Sequence, residues 1–232
     1  MRVALFDLGI GQSQRLLILV HHLVADGFSF PILLEDLSTA YQQLSHGKTV
    51  RLPAKTTSLK RWIERLVEYA RSAEAREELA YWLADSRSHV ESLPVDYPGG
   101  SSQEAFTASV RQVLSMPETS VLVGALRNSE FQMEDVLLTA LVQVLREWTG
   151  KTSFLIMPLG HGRETMFEDI DLSRTVGWLN TGASVLFELG EALQPQDLLR
   201  IVKAQLRRVP HAGLGYGALR YLVVCKLSFA TN

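Results

Sequence analysis

The apolar positions of this chain fall into two short runs near the N-terminus and a series of helical stripes further along. Residues 2–7 and 15–22 read as two strands joined by the turn Gly9-Ile10-Gly11-Gln12. The run Leu16-Leu17-Ile18-Leu19-Val20 is too short for an ordinary helix and predicts a buried strand. Beyond it, Ser29 suits a helix cap and Pro31 a first turn. Leu33, Leu37, Ala40, Tyr41 and Leu44 then share one face, and Gly47 marks the stop. A second helix is predicted after Thr57-Ser58, with the stripe Leu59, Trp62, Ile63, Leu66 and Tyr69. A third spans about 73–84 and carries Leu79, Trp82 and Leu83. These stripes are expected to face the core, since an amphipathic helix packs its apolar side inward.

Residues 93–104 break the pattern with Pro94, Pro98, Gly99, Gly100, Ser101 and Ser102, which is loop chemistry. They predict a linker between a first lobe, 1–92, and a second, 105–232. The second lobe opens with a strand-like segment at 106–115 and a helix near 118–127. A stronger helix follows at about 133–148, with Val136, Leu137, Ala140, Leu141, Val144, Leu145 and Trp148 expected inward and Gly150 as its end. Strands at 153–158 and 184–188 bracket an irregular turn, Gly160-His161-Gly162-Arg163, and a charged loop-rich stretch at 164–182. The turn is placed near the first lobe's histidines. A basic helix at about 195–208 sets Leu198, Ile201, Val202 and Leu206 against Lys203, Arg207 and Arg208, whose charges read first as a solvated face and second as a contact for a partner domain.

Composition narrows the function classes. The 232 residues are 47% hydrophobic with a formal charge of −2, enough for real cores and no argument for nucleic acid or a basic membrane-binding face. Met1–Gly9 has no signal-peptide pattern, and no apolar stretch reaches membrane-spanning length. The single cysteine, Cys225, precludes an internal disulfide and fits a reducing compartment. The expectation is a cytoplasmic protein.

Candidate chemistry concentrates in His21-His22-Leu23-Val24-Ala25-Asp26-Gly27, which follows the second apolar run. Two imidazoles at a strand end place a proton acceptor and donor at a strand-to-loop edge. Asp26 offers an anchor for the loop, and Gly27 permits a turn or a close approach of backbone to ligand. His21, His22 and Asp26 have no further His or Cys nearby to complete a ligand set, so no metal is expected.

The pattern His-His-x-x-x-Asp-Gly resembles the signature of condensation-type domains of nonribosomal peptide synthetases, including epimerisation domains and the wider chloramphenicol-acetyltransferase-like acyltransferases. Phe28 to Leu37, Leu52 to Ser58 and Leu93 to Pro98 match in order, as do Gly160-His161-Gly162-Arg163-Glu164, Asp171 to Trp178 and Gly213 to Gly217. The flanks are similar to the epimerisation subtype. The resemblance implies an α/β, two-lobed chloramphenicol-acetyltransferase-like fold with mixed sheets flanked by helices, here incomplete at both termini. It implies substrates held as thioesters on the phosphopantetheine of carrier domains, and no cofactor bound directly. Carrier domains and other synthetase domains would be the partners.

By the same resemblance His22 is the catalytic residue, with His21, Asp26 and Gly27 in support; that a backbone N–H at Gly27 polarises the thioester oxygen is a hypothesis about geometry. Asp26 is expected to pair with an arginine upstream of Met1. Leu159, Gly160, His161, Arg163, Trp178, Asn180, Thr181 and Tyr216 are candidates for the pocket. Two positions depart from the epimerising pattern. Leu159 stands where those members carry a proton-exchanging glutamate, and Asn180-Thr181 is typical of condensing members. Amide formation, epimerisation at Cα, a non-catalytic docking module and an acyl-CoA-dependent acyltransferase therefore all stay open.

Overall fold

In a computed structural model of the chain, which describes residues 1–101, 103–191 and 194–223, the order of elements is largely the predicted one. Strands β1 (Arg2–Phe6) and β2 (Arg15–Leu19) lead into a short 3-10 turn, His22–Val24. Helices α1 (Ser29–Ser45), α2 (Leu59–Ala70), α3 (Ala73–Trp82), α4 (Met116–Arg127) and α5 (Met133–Thr149) follow. Then come β3 (Ser153–Ile156), β4 (Leu159–Gly160), β5 (Thr181–Gly182), β6 (Val185–Glu188), α6 (Pro195–Arg207) and α7 (Leu214–Ala218). The strands form three antiparallel two-stranded ladders, β1 with β2, β3 with β6 and β4 with β5.

The chain divides into two compact units, and the division is not linear. One contains Met1–Trp82, Pro158–Ala183 and the stretch from Pro210; the other contains Leu83–Met157 and Ser184–Val209. A cut at 93–104 would instead assign Pro158–Ala183 to the second lobe. Hydrogen bonds donated by residues of 163–179 to Asp26, Ser29 and Thr57 hold that segment in the first unit.

In the first unit, Trp62, Leu172, Leu179 and Leu214 form a buried cluster against Leu59, Leu66, Phe167 and Ile170. The α2 stripe is inward as expected except for Ile63, which is exposed. Ser58 caps α2 by accepting the Arg61 N–H at 3.2 Å. Trp82 of α3 is fully buried, and its indole N–H donates to Glu78 at 2.7 Å. Glu78 also accepts the Tyr69 hydroxyl, so this buried carboxylate has a donor on each oxygen. Burial, then the neighbouring Glu78 carboxylate, push the Tyr69 phenol far above its usual range.

Three expected faces are corrected, two of them in this unit. On α1, Leu37, Tyr41 and Leu44 are exposed, while Ser29 and Ile32 are buried. Anchors at Ser29, and at Glu35 and Asp36, which both receive Arg174, set the rotation of the helix more strongly than its apolar periodicity. The run Leu16–Leu19 is likewise not buried, since Leu16, Leu17 and Leu19 are all exposed on a ribbon whose second strand supplies pairing but no covering layer.

The second unit packs α5 and α6 against β3 and β6, with Val142, Phe154, Val185, Phe187, Leu189, Leu198 and Val202 buried together. Helix α6 uses the predicted apolar side. Helix α5 does not: Leu137, Leu141, Val144 and Trp148 are exposed, whereas Asp135, Thr139 and Val142 are buried. Because α5 is apolar on most sides, its periodicity does not select one face. Asp135 is held inside by the Gln132 N–H at 2.8 Å and by Arg207 at 3.5 Å. Gly150 ends the helix in the left-handed conformation, as predicted.

The strand expected at 106–115 is absent. A 3-10 turn, Glu104–Phe106, is followed by irregular backbone, because strand-like residues become a strand only with a partner to complete the ladder. Cys225 lies outside the described residues. Among those residues no helix is long and apolar enough to cross a membrane.

Candidate functional site

The histidine motif sits where β2 ends. His21 caps the 3-10 turn, its Nδ1 accepting the Leu23 N–H at 3.1 Å, which leaves the neutral ring's proton on Nε2. Ala25 is extended and buried, and delivers Asp26 to the interior. His22 is exposed, and among the described residues neither of its ring nitrogens has a hydrogen-bond partner. Its ring meets Trp178 in an edge-on contact, with centroids 5.3 Å apart.

Asp26 is the hub. Its side chain is fully buried and receives Arg163 through both oxygens, Nη1 to Oδ2 at 2.8 Å and Nη2 to Oδ1 at 3.0 Å. Oδ1 also accepts the Ser29 N–H and hydroxyl, each at 2.9 Å, and Oδ2 accepts the Leu179 N–H at 3.1 Å. Burial alone would push this carboxyl up. The hydrogen bonds from Arg163, Leu179 and Ser29, with the guanidinium charge, outweigh it and hold the group at about 2. The partner expected upstream of Met1 is thus replaced by Arg163, from the predicted turn. A two-pronged guanidinium suits a carboxylate geometrically, so the pair fixes direction as well as charge.

The turn that supplies Arg163 is shaped by Gly162, at φ +70°. A Cβ there would lie 1.7 Å from the Leu179 carbonyl oxygen. Gly27 is different: its φ is not left-handed, and a Cβ would meet nothing within 4 Å. Gly162→Ala is therefore expected to lower the thermal midpoint by at least ~2–4 °C, the shift that 1 kcal/mol produces in a chain of this size. Gly27→Ala should leave stability within about 0.5 kcal/mol of the parent. Differential scanning fluorimetry of the two variants checks both, and equal midpoints would discredit the close-approach argument.

The segment from Phe167 to Leu179 is strapped onto α1 and α2. Arg174 reaches Glu35 at 2.7 Å and Asp36, Thr175 donates to the Thr57 carbonyl at 2.6 Å, and Arg61 reaches Asp169 at 3.1 Å. Gly177 and Leu179 meet Ser29 and Asp26, so the strap ends on the motif loop.

This chain matches the condensation-domain family model over residues 1–227. It belongs to that family. It is 46% identical over 223 residues to a linear gramicidin synthase polypeptide of Brevibacillus parabrevis, covering 96% of this chain and 3% of that protein. Against the chondramide synthase of Chondromyces crocatus it is 43% identical over 227 residues, covering 95% of this chain and 6% of the relative. Among solved structures, the epimerization domain from the third module of tyrocidine synthetase B superposes with a TM-score of 0.83 at 34% identity, over 96% of this chain and 49% of that one. The first condensation domain of the calcium-dependent antibiotic synthetase shares the fold, with a TM-score of 0.71 at 22% identity over 92% and 46% of the two chains. The chain therefore spans about half the length of these solved relatives and a small fraction of the curated ones. The fold is the expected mixed, chloramphenicol-acetyltransferase-like one, and the family is that of nonribosomal peptide synthetases.

Within this condensation-family chain, the candidate residues divide into groups. Asp26, Arg163, His161, Gly160 and Asn180 are joined: Arg163 donates its backbone N–H to His161 Nδ1 at 3.0 Å, and Asn180 donates to the Gly160 carbonyl at 3.2 Å. Thr181 pairs with Gly160 across β4 and β5. Phe28 stacks at an angle on His161, 5.1 Å away, beside the Arg163 guanidinium. Trp178 joins His22. Leu159 is 78% exposed and carries no titratable group. Tyr216 lies elsewhere in the unit, buried with its ring against Trp82 and its hydroxyl accepting from Arg220. Ser29, bonded to Asp26 at this hub, is the residue that motif reading undervalues. Its signal is the Asp26-x-x-Ser29 spacing, in which each side chain bonds the other's backbone N–H. Among the described residues no group of three or more His, Cys, Asp and Glu side chains is arranged to hold a metal.

Proposed function

We propose that this chain carries the proton-handling half of a site that forms an amide between two acyl groups held as thioesters on carrier domains, with His22 as the general base. The attacking amine forms the new C–N bond, its proton passes to the His22 imidazole, the C–S bond breaks, and the pantetheine sulfur takes up that proton. Asp26, clamped by Arg163, holds the loop, and a Cβ at Gly27 would meet nothing within 4 Å, which leaves room for a substrate to approach the backbone there. His21, with one nitrogen already used to cap the turn, is the supporting ring.

The observation that carries this reading is the state of His22: an exposed imidazole with both nitrogens free among the described residues, on a loop immobilised by a buried ion pair. A base must reach the proton it removes, and must do so from a fixed position. The 34% identity to an epimerization domain favours a second reading, loss and return of the Cα proton. That chemistry needs a partner acid, and Leu159 supplies none at the position where the family resemblance puts it.

One assay separates the two. A carrier loaded with an aminoacyl thioester is incubated with the chain, with and without a second carrier bearing an acyl donor, and the products are hydrolysed for chiral chromatography and mass spectrometry. An amide that appears only with both carriers is the expected result. Inversion at Cα with a single carrier would establish the second reading, and neither product would overturn both.

A further inference from the structure

We propose that Trp178 is a positioning residue of this site: its backbone is clamped on both sides by the motif's own Asp26 and Ser29, and its indole sets the orientation of the His22 ring. The catalytic consequence rests on the proposed role of His22; the structural statement does not.

The backbone on each side of Trp178 is pinned to the motif loop. Before it, the Gly177 N–H donates to Ser29 Oγ at 3.1 Å, and the Gly177 carbonyl accepts the Asp26 N–H at 3.2 Å. After it, the Leu179 N–H donates to Asp26 Oδ2 at 3.1 Å. Ser29 and Asp26 are both buried, so these three bonds are shielded from competing water. Upstream, Arg174 and Thr175 tie the same segment to α1 and to Thr57. A side chain between two such anchors has its Cα–Cβ direction fixed, and only its own torsions remain.

The indole uses that fixed base to meet His22 at 5.3 Å with the ring planes inclined by 60°. Edge-on aromatic contact of this kind is directional. Among the described residues it is the ring contact that His22 makes, and neither of its ring nitrogens is hydrogen-bonded. Most histidines that act as bases are held by a hydrogen bond to the nitrogen away from the substrate. Here that restraint is supplied by an aromatic ring contact. The arrangement gives Asp26 a second role, because it holds the residue that aims the base as well as holding Arg163.

Trp178 is 51% exposed, so truncating it leaves the core intact. The test compares Trp178→Leu and Trp178→Phe with the parent in the full chain, by two independent readouts. In the first, NMR of ring-labelled histidine follows the torsional averaging of His22, with His22→Ala assigning the signal. The parent and Trp178→Phe should show one preferred ring orientation, and Trp178→Leu an averaged one. In the second, turnover of the carrier-bound substrate should fall about 10- to 100-fold in Trp178→Leu, with KM within about twofold, and recover in Trp178→Phe, as expected for a misaimed group. A His22 ring equally ordered in Trp178→Leu would overturn the proposal. If His22→Ala itself turns over like the parent, the reading of His22 as a base fails, and the ring-order measurement still decides what Trp178 does.

Discussion

His22→Ala is expected to reduce amide formation by about 10²–10⁴-fold, the usual contribution of a positioned general base. In activation free energy that is about 3–5 kcal/mol. Folding should be almost untouched: the ring is exposed and, among the described residues, has no hydrogen bond and makes one aromatic contact, so the change in stability should stay near ~0.5 kcal/mol. This combination is what distinguishes a base from a structural histidine. His21→Ala makes the contrast, because His21 caps the 3-10 turn through Nδ1, and its loss should act first on the melting curve. Steady-state turnover and thermal denaturation of both variants give the comparison. Parental turnover in His22→Ala would remove the imidazole from the mechanism.

Arg163→Met is expected to destabilise the first unit by about 3–5 kcal/mol, because it strands a carboxylate with no exposed surface. The cost is that of an unpaired buried charge and is not the net worth of the pair. Replacing both residues, Asp26→Asn with Arg163→Met, should therefore cost less than the sum of the single changes. The pair also predicts an acid limb. Asp26 is held at about 2 in the fold against an ordinary value of 3.8. A carboxyl depressed by folding stabilises above its unfolded pKa, and the contribution disappears as pH falls through the folded one. The window is about pH 5 down to 2, and the amount is ~2.4 kcal/mol. Urea midpoints across that range should show this loss in the parent and a much smaller one in Asp26→Asn. Parallel curves for the two proteins would mean that Asp26 is not paired as described.

Legibility from sequence is greatest where local chemistry decides. Ser58 before α2, Gly150 after α5 and the Trp62–Leu66–Tyr69 stripe are all read from neighbours a few residues apart, and all hold. The faces of α1 and α5 mislead for the opposite reason. Both helices carry apolar residues on several sides, and the buried side is chosen by polar anchors, Ser29 and Asp135, whose partners lie far off in the chain or on another helix. The segment at 106–115 has the composition of a strand, but composition does not provide the second strand.

The motif itself is visible in the sequence alone, because His21, His22, Asp26 and Gly27 lie within seven residues and their chemistry is tied to that spacing. The short Asp26-x-x-Ser29 bond and the turn at Gly162-Arg163 are local in the same sense. What only the tertiary structure decided is which distant groups close around them: that Arg163 answers Asp26 across 137 residues, and that Trp178 comes to rest on His22. Sequence specifies bonds between near neighbours through backbone geometry, whereas a buried charge accepts whichever cation the packed chain brings within reach.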